Sequence, residues 1–483
     1  MNILMISPEC APFSKVGGLA DMVSALSKQL AAAGHDVKIF TPLHSSVRRA
    51  GAFETALDFM SVHMGLGIEE FCKVWKAPLG KAAVYFAEFN KYFERSGVYD
   101  GSDNEYRFAF MCKAAIDFCA AIKWTPDVIH CHDWTAGLVP VYLNTTHMHT
   151  PLGRAATVFT IHNMQHQGVF SPKVLDYAGL PAAQVYKPDN LESFGSLNML
   201  KGAIYNSTKL STVSPTYSKE IQTPAYGCGL DGILRFKSAD LVGILNGVDL
   251  EEWNPASDSL LPANYDFTDL SGKAACKKAL QKKLGLELDD TLPVFGVVAR
   301  LFDQKGLDLL AHIMQPLLQN MRIQFALLGS GEKWLEDAFK NIAKVNPSKS
   351  AAYIGYNNEL SHLIEAGSDF FVMPSRFEPC GLNQMYSMLY GTLPIVRNTG
   401  GLADTVTQYD ERARLGDGFK FEDATCEALY NTIGWACATW YDRPEDISML
   451  RRNAMHKDFS WKSSAKEYEK LYRWAVSERA KAF

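Results

Sequence analysis

Near its start this chain reads as a strand over residues 2–7, whose middle, Ile3-Leu-Met-Ile6, is an unbroken apolar run with no polar alternation. That is the pattern of a strand buried on both faces. The loop Ser14-Lys-Val-Gly-Gly-Leu-Ala-Asp21 follows, then helical spacing over about 20–33 and a second strand over 37–41. Strand, loop, helix and strand succeed one another, with Gly17 and Gly18 where the chain enters the helix. Backbone N–H groups left over at that point, with the helix dipole behind them, predict an anion site. The glycines lack G-x-G-x-x-G spacing, so this is no dinucleotide fingerprint.

The pattern then predicts short β runs over 72–76 and 83–89, and a helix over 107–123. Strands follow over 127–131 and 156–161, a helix over 197–207 and a strand over 209–214. Around 246–255 it dissolves into polar and turn residues, which marks a domain boundary. A second series follows, with strands over 293–299, 323–328, 352–355, 370–373 and 393–396. Helices over 306–318, 333–345, 359–365 and 380–390 alternate with them. Strands alternating with helices build doubly wound parallel sheets. The expected architecture is therefore α/β, with Rossmann-like domains over 1–250 and 251–460 facing across a cleft. A last helix over 461–480 finds no further strand in the second sheet, which suggests that residues 461–483 cross back to the first domain.

Composition narrows the classes. A chain of 483 residues exceeds one ordinary core. With 47% hydrophobic residues, 21% charged and a net charge of −5, it offers no broad nucleic-acid face. No apolar run reaches membrane-span length, and the first residues carry no basic segment of a signal peptide. The ten cysteines show no C-x-x-C pair, which fits reduced thiols in a cytoplasmic protein. No nucleic-acid or membrane partner is expected, and the oligomeric state is not legible.

Candidate chemistry gathers at the carboxyl ends of the predicted strands, where open α/β sheets bind ligands. Strand 370–373 leads into Ser375-Arg-Phe-Glu-Pro-Cys-Gly-Leu382, with one base (Arg376), one acid (Glu378) and Gly381 in a tight loop. Arg376 and Glu378 either pair with each other on a surface turn or serve a ligand. Arg300 and Lys305, before a helix, read as a surface pair or as a clamp for a leaving diphosphate. Thr399-Gly400-Gly401 repeats the strand–glycine–helix device of 15–20. Two other strands end in His132-Asp133-Trp134 and His162-Asn163. The histidines lack H-E-x-x-H spacing and read as hydrogen-bonding groups, so no metal is expected. Aromatics in 90–99 either stack on sugar rings or cap a core. Together these features suggest transfer from a nucleotide-diphosphate donor, with cations in place of a metal.

The motifs add up to a resemblance. Lys15-Val-Gly-Gly-Leu-Ala-Asp21, His132-Asp-Trp134, Tyr226-Gly-Cys-Gly-Leu-Asp-Gly232, Arg300 with Lys305-Gly-Leu-Asp308, Arg376-Phe-Glu-Pro-Cys-Gly-Leu382 and Thr399-Gly-Gly-Leu-Ala-Asp-Thr-Val406 resemble the bacterial glycogen synthase and plant starch synthase family over essentially the whole chain. The resemblance implies a GT-B fold and retaining transfer of glucose from ADP-glucose to the 4-hydroxyl at the non-reducing end of an α-1,4-glucan, without metal or other cofactor. It implies that Arg300 and Lys305 hold the donor phosphates, with Thr399, Gly400 and Gly401, and that Lys15, Gly17 and Gly18 share that site. Cys380, Gly381 and Leu382 would line the donor, and Tyr356 would stack on its base. Glu378 would stabilise the transition state, with His162 beside the anomeric carbon. Asp21, Asp133, Trp134 and Asn163 would meet the sugar and acceptor.

Three positions depart from the pattern. Thr135 stands where bacterial members often have a second His, and Asn383 replaces the usual Thr. Tyr386 stands eight after Glu378, where broader GT-B relatives carry a second Glu, as expected of this family. Two other readings remain: a related transferase that uses UDP-glucose or makes a disaccharide, and a glucan-binding paralogue without turnover.

Overall fold

The computed structural model describes residues 1–47 and 53–483. Twelve strands belong to the first part of the chain: β1 (Asn2–Ile6), β2 (Asp36–Pro42), β3 (Glu54–His63), β4 (Glu69–Leu79), β5 (Ala82–Glu88), β6 (Val128–His132), β7 (Ala156–Ile161), β8 (Val169–Phe170), β9 (Glu192–Ser193), β10 (Ser196–Asn198), β11 (Lys209–Thr212) and β12 (Leu241–Gly243). Nine of them form one sheet in the order β12-β11-β7-β6-β1-β2-β5-β4-β3. From β12 to β5 all pairs are parallel, and β5, β4 and β3 close the edge as an antiparallel meander. β6 and β7 are buried at every position, because helices cover both faces of a parallel sheet.

The meander corrects the two short runs expected near 72–89. β3 is partly exposed and interrupted by two register shifts, so its weak alternation hid it. Such irregular, charged edges discourage pairing with another chain. The aromatics of 90–99 cap the core: Tyr92 and Phe93 are buried, and Phe89 stacks on Phe110 at 4.2 Å. Buried Arg107 holds that loop by donating to the carbonyls of Tyr92, Val98 and Asp100.

The second series comprises β13 (Val294–Leu301), β14 (Gln324–Gly331), β15 (Ser350–Ile354), β16 (Phe370–Met373), β17 (Leu393–Arg397) and β18 (Phe419–Phe421). They form a parallel sheet in the order β15-β14-β13-β16-β17-β18. Three helices that the periodicity did not single out, Ser271–Leu284, Cys426–Asp442 and Pro444–Met455, belong to this unit. The helix read over 380–390 shortens to Asn383–Leu389, because Gly381 at φ 71° is left-handed and cannot lie in its first turn.

The chain divides into one unit of Met1–Gly247 with Trp461–Phe483 and another of Val248–Ser460. The helix Trp461–Ala480 packs on the helix Gly18–Ala32 and on β7 of the first unit. Its Tyr468, Leu471 and Tyr472 are buried there, and the Tyr472 hydroxyl meets His130 Nδ1 at 2.8 Å. Gly247 is compelled to lack a side chain, since a Cβ would lie 2.6 Å from the Trp461 nitrogen. No helix among the described residues is long and apolar enough to cross a membrane.

Candidate active site

The strand ends of the second unit place the most concentrated chemistry. β16 ends in Ser375–Glu378, and β13 ends in the turn that carries Lys305. Because β13 and β16 are parallel neighbours, both loops emerge at the same edge. Lys305 Nζ lies 2.6 Å from Glu378 Oε2, with side-chain exposures of 20% and 7%. Ser375 Oγ donates to the same carboxylate oxygen at 3.0 Å. Arg376 does not pair with Glu378. Its guanidinium forks onto Asp308 with two bonds of 2.7 Å and donates to the Asp303 carbonyl at 2.8 Å. The bidentate pair holds the Asp308 carboxyl below the usual carboxylate range. The loop is thus braced by Arg376, which leaves Glu378 facing Lys305.

Gly400 and Gly401 lie against this loop. A Cβ on Gly400 would sit 1.9 Å from the Glu378 carbonyl oxygen, and one on Gly401 would sit 2.0 Å from that of Cys380. The protein's own backbone therefore demands both glycines. The N–H of Gly401 is already donated to Glu378 O at 3.0 Å and Pro379 O at 3.2 Å. This corrects the expectation of a helix N-terminus open to phosphate at that residue: its donor secures the Glu378 loop instead. Thr399 and Cys380 are buried beside it, while Gly381 and Leu382 are half-buried. Arg300, near the end of β13, is exposed with its guanidinium over the Phe302 ring at 5.8 Å. Tyr356, past the end of β15, is 86% exposed, a ring presented to a ligand or to water.

Two departures from the family pattern find physical reasons. Asn383 Nδ2 donates to the Val298 carbonyl at 2.8 Å, tying the 380s to β13. Tyr386 stacks on Trp253 at 3.9 Å and 2°, and His362 stacks on the same indole at 3.9 Å and 10°. The position that carries an acid elsewhere thus packs the segment following the domain boundary.

In the first unit, β1 ends in a loop whose organiser is Glu9. Its Oε2 accepts the N–H groups of Val16 at 2.5 Å and Gly17 at 3.3 Å, and Tyr99 donates to Oε1 at 2.7 Å. Two of the leftover donors before the helix, those of Val16 and Gly17, thus hold an internal carboxylate. Burial pushes the Glu9 carboxyl up, against these bonds. Sequence reasoning passed over Glu9, although an acid just beyond the first strand's carboxyl end was the available signal. Lys15 pairs with Asp21 at 2.8 Å, and its side chain is half exposed. Unlike Gly400, Gly17 faces open space: a Cβ there would meet nothing within 4 Å, and its φ of −152° suits any residue. Gly18 begins the helix Gly18–Ala32.

Asp133, just past β6, has φ 55°, an uncommon backbone state for a non-glycine. Its Oδ1 accepts the His162 N–H at 2.8 Å, joining the ends of β6 and β7. His162 Nε2 in turn meets His132 Nδ1 at 3.2 Å. Burial lowers His162 to about 3, so the ring is neutral near pH 7. Both ring nitrogens of His130 are engaged, by Tyr472 and by Thr160 Oγ1 at 2.6 Å. Asn163 Oδ1 accepts from the Gln165 N–H at 3.0 Å. Trp134 packs edge-on to Phe108 at 5.0 Å and against Phe170 at 5.4 Å. Thr135 is buried and bonds back to the His132 carbonyl, so it presents no side chain in place of the family's second histidine.

Burial raises the Asp133 carboxyl to about 7, against the His162 and Asn163 backbone bonds. A carboxyl raised in the fold contributes stability below its unfolded value near 4, and that contribution is lost as pH rises through about 7. Between pH 5 and 7 the wild type should therefore lose ~1.4 kcal/mol per pH unit relative to Asp133→Asn. Thermal unfolding of both proteins at pH 5, 6 and 7 checks this; a gap that does not move with pH contradicts it.

Comparison with known proteins agrees across the chain. The profile of the starch synthase catalytic domain matches residues 2–236, and that of glycosyl transferases group 1 matches 280–449. Glycogen synthase 1 of Geobacter sulfurreducens is 49% identical, covering 99% of this chain and 97% of the relative. Glycogen synthase of Treponema denticola is 45% identical, covering 99% of each. The catalytic domain of starch synthase IV from Arabidopsis thaliana, solved bound to ADP and acarbose, superposes with a TM-score of 0.91 at 35% identity, covering 98% of this chain and 99% of that one. Sucrose-phosphate synthase from Thermosynechococcus elongatus shares the fold alone, with a TM-score of 0.62 at 17% identity over 99% of each chain.

Proposed function

We propose, for a chain that belongs to the bacterial glycogen synthase and plant starch synthase family of GT-B glucosyltransferases, that it elongates an α-1,4-glucan by retaining transfer of glucose from ADP-glucose. The observation that carries the chemistry is the Lys305–Glu378 pair, one buried acid on one cation at a parallel-sheet carboxyl edge. A diphosphate leaving group gains negative charge as the glycosidic bond breaks. Lys305 and Arg300, both reaching from the end of β13, supply compensating charge there. Glu378 then faces the opposite change. The sugar becomes oxocarbenium-like, and a fixed carboxylate gains attraction as that positive charge develops.

The remaining assignments follow from exposure and chemistry. Tyr356 offers an uncovered ring for the adenine, and the open space in front of Gly17 admits phosphate or sugar where a side chain would stand. Neutral His162, its backbone N–H held by Asp133, presents an uncharged imidazole to the sugar. Trp134, Asp133, Asn163 and Asp21 supply apolar and polar contacts for sugar and acceptor. Two cations stand in for a metal, so turnover needs no divalent ion. The test is glucose incorporation into glycogen from ADP-glucose and UDP-glucose, each with EDTA. Preference for ADP-glucose and full activity under EDTA are expected. Preference for UDP-glucose, or loss on chelation restored by a divalent ion, overturns the corresponding part.

A further inference from the structure

The second sheet has a polar site at its other edge. A cavity of about 610 Å³ lies where β13, β16 and β17 begin, lined by Lys273, Lys277, Lys278, Asp369, Trp440 and Arg451 among others. Asp369 immediately precedes β16, whose far end carries Glu378, so strand polarity separates this cavity from the Glu378 loop. Lys277 Nζ lies 2.8 Å from Asp369 Oδ2, and Arg451 Nη2 lies 2.6 Å from Oδ1. The Val294 N–H donates to Oδ2 at 3.0 Å. Burial pushes the Asp369 carboxyl up, yet Lys277 and Arg451 outweigh it and hold the group ionised.

The lining carries four basic side chains, Lys273, Lys277, Lys278 and Arg451, against three acids, Asp289, Asp290 and Asp369. Lys273 Nζ is buried and donates to neutral groups, the Ala366 carbonyl at 2.9 Å and Thr392 Oγ1 at 2.7 Å. Burial, with Arg451's charge, brings its ammonium down to about 7. Arg451 Nε is buried and has no hydrogen-bond partner among the described residues. Lys278 is exposed on the same helix as Lys273. Trp440 forms an apolar wall, with Lys277 Nζ 4.8 Å and Arg451 Cζ 5.3 Å from its ring. The carboxylate of Asp289 is tied to Thr291 by its N–H at 2.8 Å and its hydroxyl at 2.6 Å.

We propose that this cavity is a binding site for a small phosphorylated anion, separate from the donor loops. Its volume falls in the range of small-molecule sites. Arginine and lysine converging on a partly apolar pocket favour a phosphoryl group, whose oxygens accept from several donors at once. Its occupation reaches the active edge through two strands. Lys277 and Arg451 grip Asp369, just before β16, which leads to Glu378; Lys273 grips Thr392, just before β17, which leads to Thr399–Gly401.

Hydrogen–deuterium exchange with inorganic pyrophosphate as probe locates binding by peptide. Protection of the helices Ser271–Leu284 and Pro444–Met455 is expected in the wild type, with half-saturation raised about tenfold or more in Lys278→Glu. In Lys305→Ala, where the donor loops are impaired, that protection should persist. Protection confined to 300–305 and 376–401, or protection of the two helices that Lys278→Glu leaves unchanged, overturns the site. So does an absence of protection at millimolar pyrophosphate.

Discussion

Glu378→Gln lowers kcat by at least about 100-fold while the dissociation constant for ADP-glucose stays within a few-fold of wild type. The substitution keeps side-chain size and an oxygen that can accept from Lys305 and Ser375, so the hydrogen bonds of 2.6 and 3.0 Å have replacements. What disappears is the negative charge, whose value grows only as the sugar turns cationic. Such an interaction belongs to the transition state, so its loss falls on kcat rather than on binding. Bracing through Arg376 is excluded on geometry, because Arg376 spends its guanidinium on Asp308 and Asp303. Turnover kinetics and calorimetric binding on one purified variant decide the matter. A folded Glu378→Gln protein with full kcat removes this residue from the chemistry.

Lys305→Ala also lowers kcat about 100-fold, which corresponds to ~2.7 kcal/mol of lost leaving-group stabilisation. From the sequence alone, this change is expected to leave thermal unfolding nearly untouched. The structure alters that expectation. Lys305 is the cation on a carboxylate only 7% exposed, and removing one partner of a buried pair leaves the other charge uncompensated. Destabilisation of ~3 kcal/mol should accompany the rate loss. The two effects separate in the double variant Lys305→Ala/Glu378→Gln, which has no orphaned charge. Its unfolding temperature should recover most of the loss, and its kcat should not. A double variant as unstable as Lys305→Ala contradicts the orphaned-charge account.

Both experiments rest on a pairing that links residues 73 positions apart. The local pattern could place each of them. Apolar runs of strand length, ended by Pro374 or by a charged turn, located β13, β16 and β17 to within about two residues. Parallel-sheet logic then put Arg300, Lys305 and Glu378 at carboxyl ends, because alternating strands and helices admit few other arrangements. Motif resemblance supplied the chemistry for the same positions. Less periodic segments were harder: the helix Ser271–Leu284 is largely lysine and alanine, and β3 is an irregular edge, so neither shows a clean buried stripe.

Periodicity along the chain determined which residues stand at the strand ends, since it reports burial and local geometry. Which side chains meet there was decided by tertiary structure, because a hydrogen bond depends on a few tenths of an ångström between segments remote in sequence. Thus the N–H groups before the first helix are held by Glu9, the Gly401 N–H by the Glu378 loop, and Arg376 by Asp308. The same distinction applies to the glycines. Identical Gly-Gly pairs read alike in sequence, yet backbone crowding demands Gly400 and Gly401, while Gly17 faces open space. Only the fold carries that difference, since a glycine's reason lies in what comes near its missing Cβ.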